Sequence, residues 1–223
     1  MPGTKIAEEK RREQMLHAAY EIASKGGLSA ITIRAVASRA ETSTGLVSFH
    51  FQSRVGLVVA LLDWVLSTTT AVVIGPEIQK ISDPVERLLA LLREEMSRLA
   101  KDRFRIRVIS EFWISGIWDK PVRLRMQKEL SRYRLAFLPL ATAAVQSAPA
   151  RFAGVTPEAL ADVVVGFIKG CAIQSMIDPK LDVDEFVRVA GQLLLPSKKS
   201  RSRPTIPVGL AYGSLKLIGG GNA

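Results

Sequence analysis

The chain has 223 residues, 48% of them apolar, and a formal charge of +10. That length suits one sizeable core or two modest ones, and the apolar share excludes an intrinsically disordered chain. A single cysteine, Cys171, excludes an intrachain disulfide framework and a cysteine-rich metal site, and His17 and His50 stand too far apart to suggest zinc.

The charge is unevenly spread. Residues 1–56 carry eight Lys/Arg against five acids, residues 57–195 eighteen against sixteen, and residues 196–223 five against none. A basic excess at both ends makes a polyanion or an anionic membrane surface a reasonable partner. The opening MPGTKIAEEKRREQM is charged and has no apolar run, so a cytoplasmic protein without a signal peptide is expected.

A first helix is predicted over 8–25, with Met15, Leu16, Ala19, Tyr20, Ile22 and Ala23 on one stripe and Gly26-Gly27 as its stop. Lys5, Lys10, Arg11 and Arg12 near its start suit phosphate contact, or a solvated end shared with Glu8, Glu9 and Glu13. Thr32 is placed to cap a second helix, in which Ile33, Val36, Ala37 and Ala40 repeat at i, i+3, i+4, i+7. Glu41-Thr42 makes a turn, and Ser43 caps a third, short helix running to about His50. Val47 and Phe51 point inward on it, leaving Thr44, Gly45, Ser48 and Phe49 outside. Short polar groups and a glycine let a helix lie close against base edges and phosphates. Arg54, its charge placed to clamp a phosphate, then opens a long helix expected to reach Ile74 before Gly75-Pro76. Asp63 and the polar run at 67–70 argue against a membrane span there.

Further on, Asp83-Pro84 opens a helix whose buried stripe is Leu88, Leu91, Leu92, Met96 and Leu99. Helices follow over 104–119, from Pro121 onward with a kink expected at Pro139, over 156–177, and over 182–195. No strand alternation occurs, so the fold class is all-α. The stretch from Pro196, basic and rich in Gly, Pro and Ser, reads as a disordered tail.

The run from Ala40 to Leu57, AETSTGLVSFHFQSRVGL, resembles the TetR family of bacterial repressors. Gly45, His50-Phe51, Arg54 and Leu57 match its pattern, as do Ala19, Gly26-Gly27, Thr32 with Ile33, and Ala37 upstream. The chain departs at Glu41 and Thr42, where the family has a glycine and an apolar residue, and at Ser48, where a tyrosine is common. The family's terminal lysine is Arg54 here. The resemblance implies a three-helix DNA-binding head over 1–53, with a helix-turn-helix motif at 32–51, and a ligand-binding and dimerising core over 54–195. The tail fills 196–223. It further implies phosphate contacts at Thr32, Ser48, His50 and Arg54, and base-proximal positions at Ser43, Thr44, Gly45 and Phe49. Arg34 can reach either. For His50 the competing role is packing that holds the helix end.

The segment FWISGIWDKPVRLRMQKELSRYR resembles the regulatory domains of the BetI-type, choline-responsive branch. A pocket between core helices should be mostly apolar with a few placed polar groups. Trp64, Phe112, Trp113, Trp118 and Tyr133 are candidates for its walls, and Glu111 for its acid. Aromatic faces plus a carboxylate suit a cation, a quaternary ammonium included, although a hydrophobic effector fits as well. The alternative is that the aromatics are core and Glu111 pairs with Arg107 on the same helix. Gly166 and Gly170, with Phe167 and Phe186 nearby, permit close helix approach, either between subunits or within one.

A dimeric regulator released from a palindromic operator by a small molecule is the expected function, most naturally a repressor, with an activator as the alternative. No cofactor and no membrane partner are expected. An all-helical enzyme is the competing class, but neither histidine lies near Cys171 in the chain and no phosphate-cradling glycine loop occurs.

Overall fold

A computed structural model of the chain describes residues 2–68 and 74–194. Among these residues the order is α1 (Pro2–Gly26), a 3₁₀ turn (Leu28–Ala30), α2 (Ile33–Arg39), α3 (Thr44–Phe51), α4 (Arg54–Thr68), α5 (Pro76–Gln79), α6 (Pro84–Lys101), α7 (Arg103–Trp118), α8 (Lys120–Ser147), α9 (Pro157–Ile177) and α10 (Val183–Leu194). No strand occurs among the described residues. The extension of α4 toward Ile74 falls on 69–73, outside the described residues, as do the basic residues of the tail.

Helix starts follow local chemistry. Asp83 Oδ1 accepts from the Val85 and Glu86 amides at 2.8 and 3.1 Å, Asp119 Oδ1 from Val122 at 3.1 Å, and Thr156 Oγ1 from Ala159 at 3.1 Å. Pro84, Pro121 and Pro157 sit in the first turns behind these caps, where a missing N–H costs nothing. Each cap contributes about 1 kcal/mol. Pro139 lies inside α8, which continues through it to Ser147 as one 28-residue helix.

Two apolar clusters form. One joins α6, α8, α9 and α10 around Leu91, Leu92, Met96, Phe137, Val164 and Ile168. The predicted stripe of α6 is buried in full, from Leu88 through Leu99. The other cluster joins α1 to α4 around Met15, Leu16, Val36, Val47, Leu57 and Leu61, and it also takes in Val108 and Phe112 of α7 and Val122 and Met126 of α8. By packing, α4 therefore sides with the N-terminal helices, and the head is built onto α7 and α8 through a shared core.

Candidate nucleic-acid interface and core cavity

Two caps fix the N-terminal surface. Thr32 Oγ1 accepts from the Ala35 amide at 3.0 Å, and Ser43 Oγ accepts from the Leu46 amide at 3.1 Å. Between the two helices Glu41 sits at φ +51°. That left-handed conformation favours glycine, which explains why the related pattern has glycine there. Val47 and Phe51 are buried, so helical phase turns Thr44, Gly45, Ser48 and Phe49 outward. Phe49 is 70% exposed, a large apolar ring on an otherwise small polar surface. Thr32, Arg34 and Ser43 are exposed as well. His50 is half-buried and stands edge-on to Phe49, with ring centroids 5.4 Å apart.

Arg54 has an intramolecular task. Its Nε donates to the Ile31 carbonyl at 2.7 Å and its Nη2 to the Leu28 carbonyl at 2.8 Å, tying the start of α4 to the 3₁₀ turn. Arg12 lies over the Phe51 ring, 5.4 Å from its centroid. On the outside of α1, Arg39 and His17 both meet Glu21, and the Arg39 guanidinium holds that carboxyl below its usual range.

The bundle encloses a cavity of about 280 Å³ between α6, α7, α8 and α9, with Leu66 of α4 also in its wall. Its lining is apolar at Leu99, Ile106, Ile109, Trp113, Met126, Leu130, Ala172 and Ile173, and polar at Arg98, Arg105, Ser110, Glu129, Tyr133 and Lys169.

Of the six residues expected in a ligand site, Trp113 and Tyr133 line this cavity. The other four lie elsewhere. Phe112 is fully buried in the head's cluster. Trp64 packs against Tyr20 and His17 of α1, at 5.7 and 6.2 Å between ring centroids. Trp118 is 85% exposed at the end of α7. Glu111 reaches the head, where its Oε2 accepts from the Leu28 amide at 2.6 Å. Arg107 donates to the Ser24 carbonyl at 3.1 Å, so it and Glu111 grip the head side by side instead of pairing with each other. The reason is phase. At about 100° per residue, positions 106, 109, 110 and 113 of α7 face the cavity, while 107, 108, 111 and 112 face the head.

Gly27 completes that contact. Its φ is +76°, and a Cβ there would lie 2.7 Å from Glu111 Oε1, so only glycine lets the carboxylate approach the turn.

Sequence reasoning missed Lys169, and there was a signal for it: it is the lone charge between Asp162 and Asp178. It also missed Glu95, which is 3% exposed and is held by Arg98 and by the Tyr133 hydroxyl, the latter donating at 2.5 Å. Neighbouring carboxylate and burial push the Tyr133 phenol up, burial the more strongly. Cys171 is fully buried, and burial raises its thiol, the reverse of what a nucleophile needs.

The profile of the bacterial regulatory proteins of the tetR family matches residues 15–61, and that of the BetI-type transcriptional repressor C-terminal domain matches residues 84–195. The chain belongs to the tetR family of bacterial transcriptional regulators. The chain is 45% identical over 56 residues to the transcriptional repressor KstR of Mycolicibacterium smegmatis, covering 25% of this chain and 28% of that one. A longer match, 29% identical over 119 residues, is to the transcriptional regulator BetI of Burkholderia lata, covering 53% of this chain and 61% of the relative. The matched stretches thus span less than two thirds of either protein. Among solved structures, a putative transcriptional regulator from Saccharomonospora viridis in complex with choline superposes with a TM-score of 0.65 at 18% identity, over 83% of this chain and 96% of that one. At that identity the likeness shows the tetR-type fold.

Proposed function

We propose that this tetR-family protein is a repressor that binds a palindromic operator as a homodimer and releases it when a small molecule enters the core cavity. The observation that carries the reading is the double use of α7. One side of this helix lines the cavity through Ile106, Ile109, Ser110 and Trp113. The other side holds the head through Arg107, Glu111 and Phe112. A ligand that wedges the cavity open moves the helix to which the head is fastened. A coupling of about 1–3 kcal/mol between the two sites weakens DNA binding roughly 5- to 150-fold.

In this reading α3 enters the major groove with Thr44, Gly45, Ser48 and Phe49 toward the bases, while Thr32, Arg34 and the α1 start serve the phosphates. Ser43 and His50 lie at its two ends, the first capping the helix and the second packing. Arg54 acts chiefly by positioning, since its guanidinium is engaged with backbone carbonyls.

Dimerisation is assigned to the outer face of α9. Val163, Gly166, Gly170, Ile173 and Ile177 recur at alternating steps of three and four, the spacing of a helix-pairing seam. Val163, Ile173 and Ile177 are 47%, 44% and 80% exposed, and a Cβ on Gly166 would meet nothing within 4 Å. Val189 and Leu193 of α10 are exposed apolar residues as well. Phe167 and Phe186 stack edge-on at 6.2 Å and brace α9 against α10 within the subunit. The helix is also long and apolar enough to cross a membrane, but its inner face is committed to the bundle core. Two heads held roughly 34–36 Å apart read successive major grooves. The protein then works in the bacterial cytoplasm.

Selection of duplexes from a random pool by the full chain, followed by anisotropy titration with a polyanion competitor, tests this. A palindromic sequence bound well above bulk DNA is the expected result. Equal affinity for every duplex rejects specific repression.

A further inference from the structure

The charged groups of the cavity pair off, with one left over. Arg98 is held by Glu95 at 3.0 and 2.7 Å, Arg105 by Asp102 at 3.1 Å, and Glu129 by Arg132 at 2.9 Å. Lys169 remains. Among the described residues no carboxylate pairs with it and no acceptor takes its N–H groups; the ammonium lies 4.2 Å from the centroid of the Tyr133 ring. An aromatic face partly compensates a cation but leaves three directional donors without acceptors. Burial pulls the Lys169 ammonium below its ordinary range, Glu129 and Glu95 pull it back, and Arg98 pushes it further down. The surrounding wall is apolar, with Leu66, Ile109, Trp113, Met126 and Ile173 along it.

We infer that the cavity takes a small apolar carboxylic acid, its carboxylate on Lys169 Nζ and its hydrocarbon body against Trp113 and Met126. The inference rests on the reading of this cavity as the effector site and names the chemistry of the effector. A carboxylate entering an apolar site needs a charged donor already in place, and Lys169 is that donor. The cavity, at about 280 Å³, lies just below the roughly 300–1,000 Å³ that hold drug-sized ligands, which selects a short or medium-chain acid. A quaternary ammonium is opposed by the same geometry. The Tyr133 face already receives Lys169, Glu111 is turned to the head, and the carboxylate in the wall, Glu129, is already paired with Arg132.

Calorimetry on the full chain at constant ionic strength, with sodium octanoate, octan-1-ol and choline chloride as probes, decides the matter. Octanoate is expected to bind about ten- to a hundred-fold more tightly than octan-1-ol, the range a charge-assisted hydrogen bond supplies. Choline is expected to show no binding. Lys169→Met, close in volume and apolar, should erase the preference for the acid while still binding the alcohol, and Lys169→Arg should keep it. Equal affinity for acid and alcohol in the unmodified chain overturns the inference, as does choline binding more tightly than octanoate or an acid preference surviving Lys169→Met. Should Lys169→Met fail to fold by circular dichroism, the three-probe comparison and Lys169→Arg still decide. Operator titration run in parallel separates the two proposals. Specific DNA binding with indifference to octanoate rejects the acid alone, whereas loss of any operator preference rejects the regulator reading itself.

Discussion

The outward side of α2 and α3 and the cavity of the bundle differ first in how far along the chain their residues lie. The exposed candidates on α2 and α3 fall between Thr32 and Phe49, held by two side-chain caps and two buried anchors, Val47 and Phe51. The cavity draws on α4, α6, α7, α8 and α9, from Leu66 to Ile173. A surface made by one short stretch keeps its chemistry whenever the local pattern is kept. A cavity made by five helices changes whenever any of them turns or slides. Related proteins can therefore share a head and differ in what releases it, and the 45% identity to KstR extends over 56 residues, a quarter of this chain.

The largest effect should come from the core. Glu95→Ala leaves the Arg98 guanidinium and the Tyr133 hydroxyl without their buried partner. About 2–4 kcal/mol of stability should be lost, measured by guanidinium-induced unfolding. A loss below about 0.5 kcal/mol, the range of ordinary surface changes, means that the network does not hold the bundle.

Next is the head's own clamp. Arg54→Ala removes two charged hydrogen bonds to carbonyls and should cost about 1–2 kcal/mol of stability, with operator affinity falling alongside. Arg54→Lys separates clamp from phosphate contact. Lysine lacks the guanidinium fork, so a clamp fails as it does in alanine, whereas a point charge on a phosphate survives.

Glu111→Gln tests the joint between the two regions. The amide still accepts from Leu28 but loses the charge, so about 1 kcal/mol of the coupling between cavity and operator should disappear. Operator affinity with and without octanoate reads this directly, and an unchanged ratio removes Glu111 from the joint.

Thr44→Ala should shift the ranking of operator variants by about 1 kcal/mol, while Arg34→Ala weakens all of them alike and flattens the salt slope. Uniform loss in both variants would move the reading surface off α3.

The smallest effect belongs to Arg39→Ala. In the folded head Glu21 titrates below its ordinary value because Arg39 donates to it. Its stabilisation is therefore present at neutral pH and is lost as pH falls through the depressed folded value. The substitution should leave acid stability nearly unchanged and lower neutral stability slightly. Thermal melts at pH 7 and pH 3 compare the two.

Much of the architecture could be read before any coordinates. The stripe of α6, the caps Thr32 and Ser43, and the stop at Gly26-Gly27 depend on neighbours within a turn or two, and all stand where spacing puts them. The cavity was legible only in part. Trp113 and Tyr133 are conspicuous aromatics that line it, whereas Trp118, as conspicuous in the sequence, lies on the surface. Glu111 was placed with its aromatic neighbours, but its partner is 83 residues away.

By itself, the sequence determined an all-helical chain, a head with two capped helices, and small polar residues on the outward side of the second. Those are matters of local propensity and a 3.6-residue period. Tertiary structure alone decided which side of α7 meets the cavity and which the head, that Arg54 turns toward carbonyls, and that Lys169 has no carboxylate paired with it among the described residues. Periodicity tells which residues share a side of a helix; what that side meets is set by helices far away in the chain, through packing that no local pattern encodes.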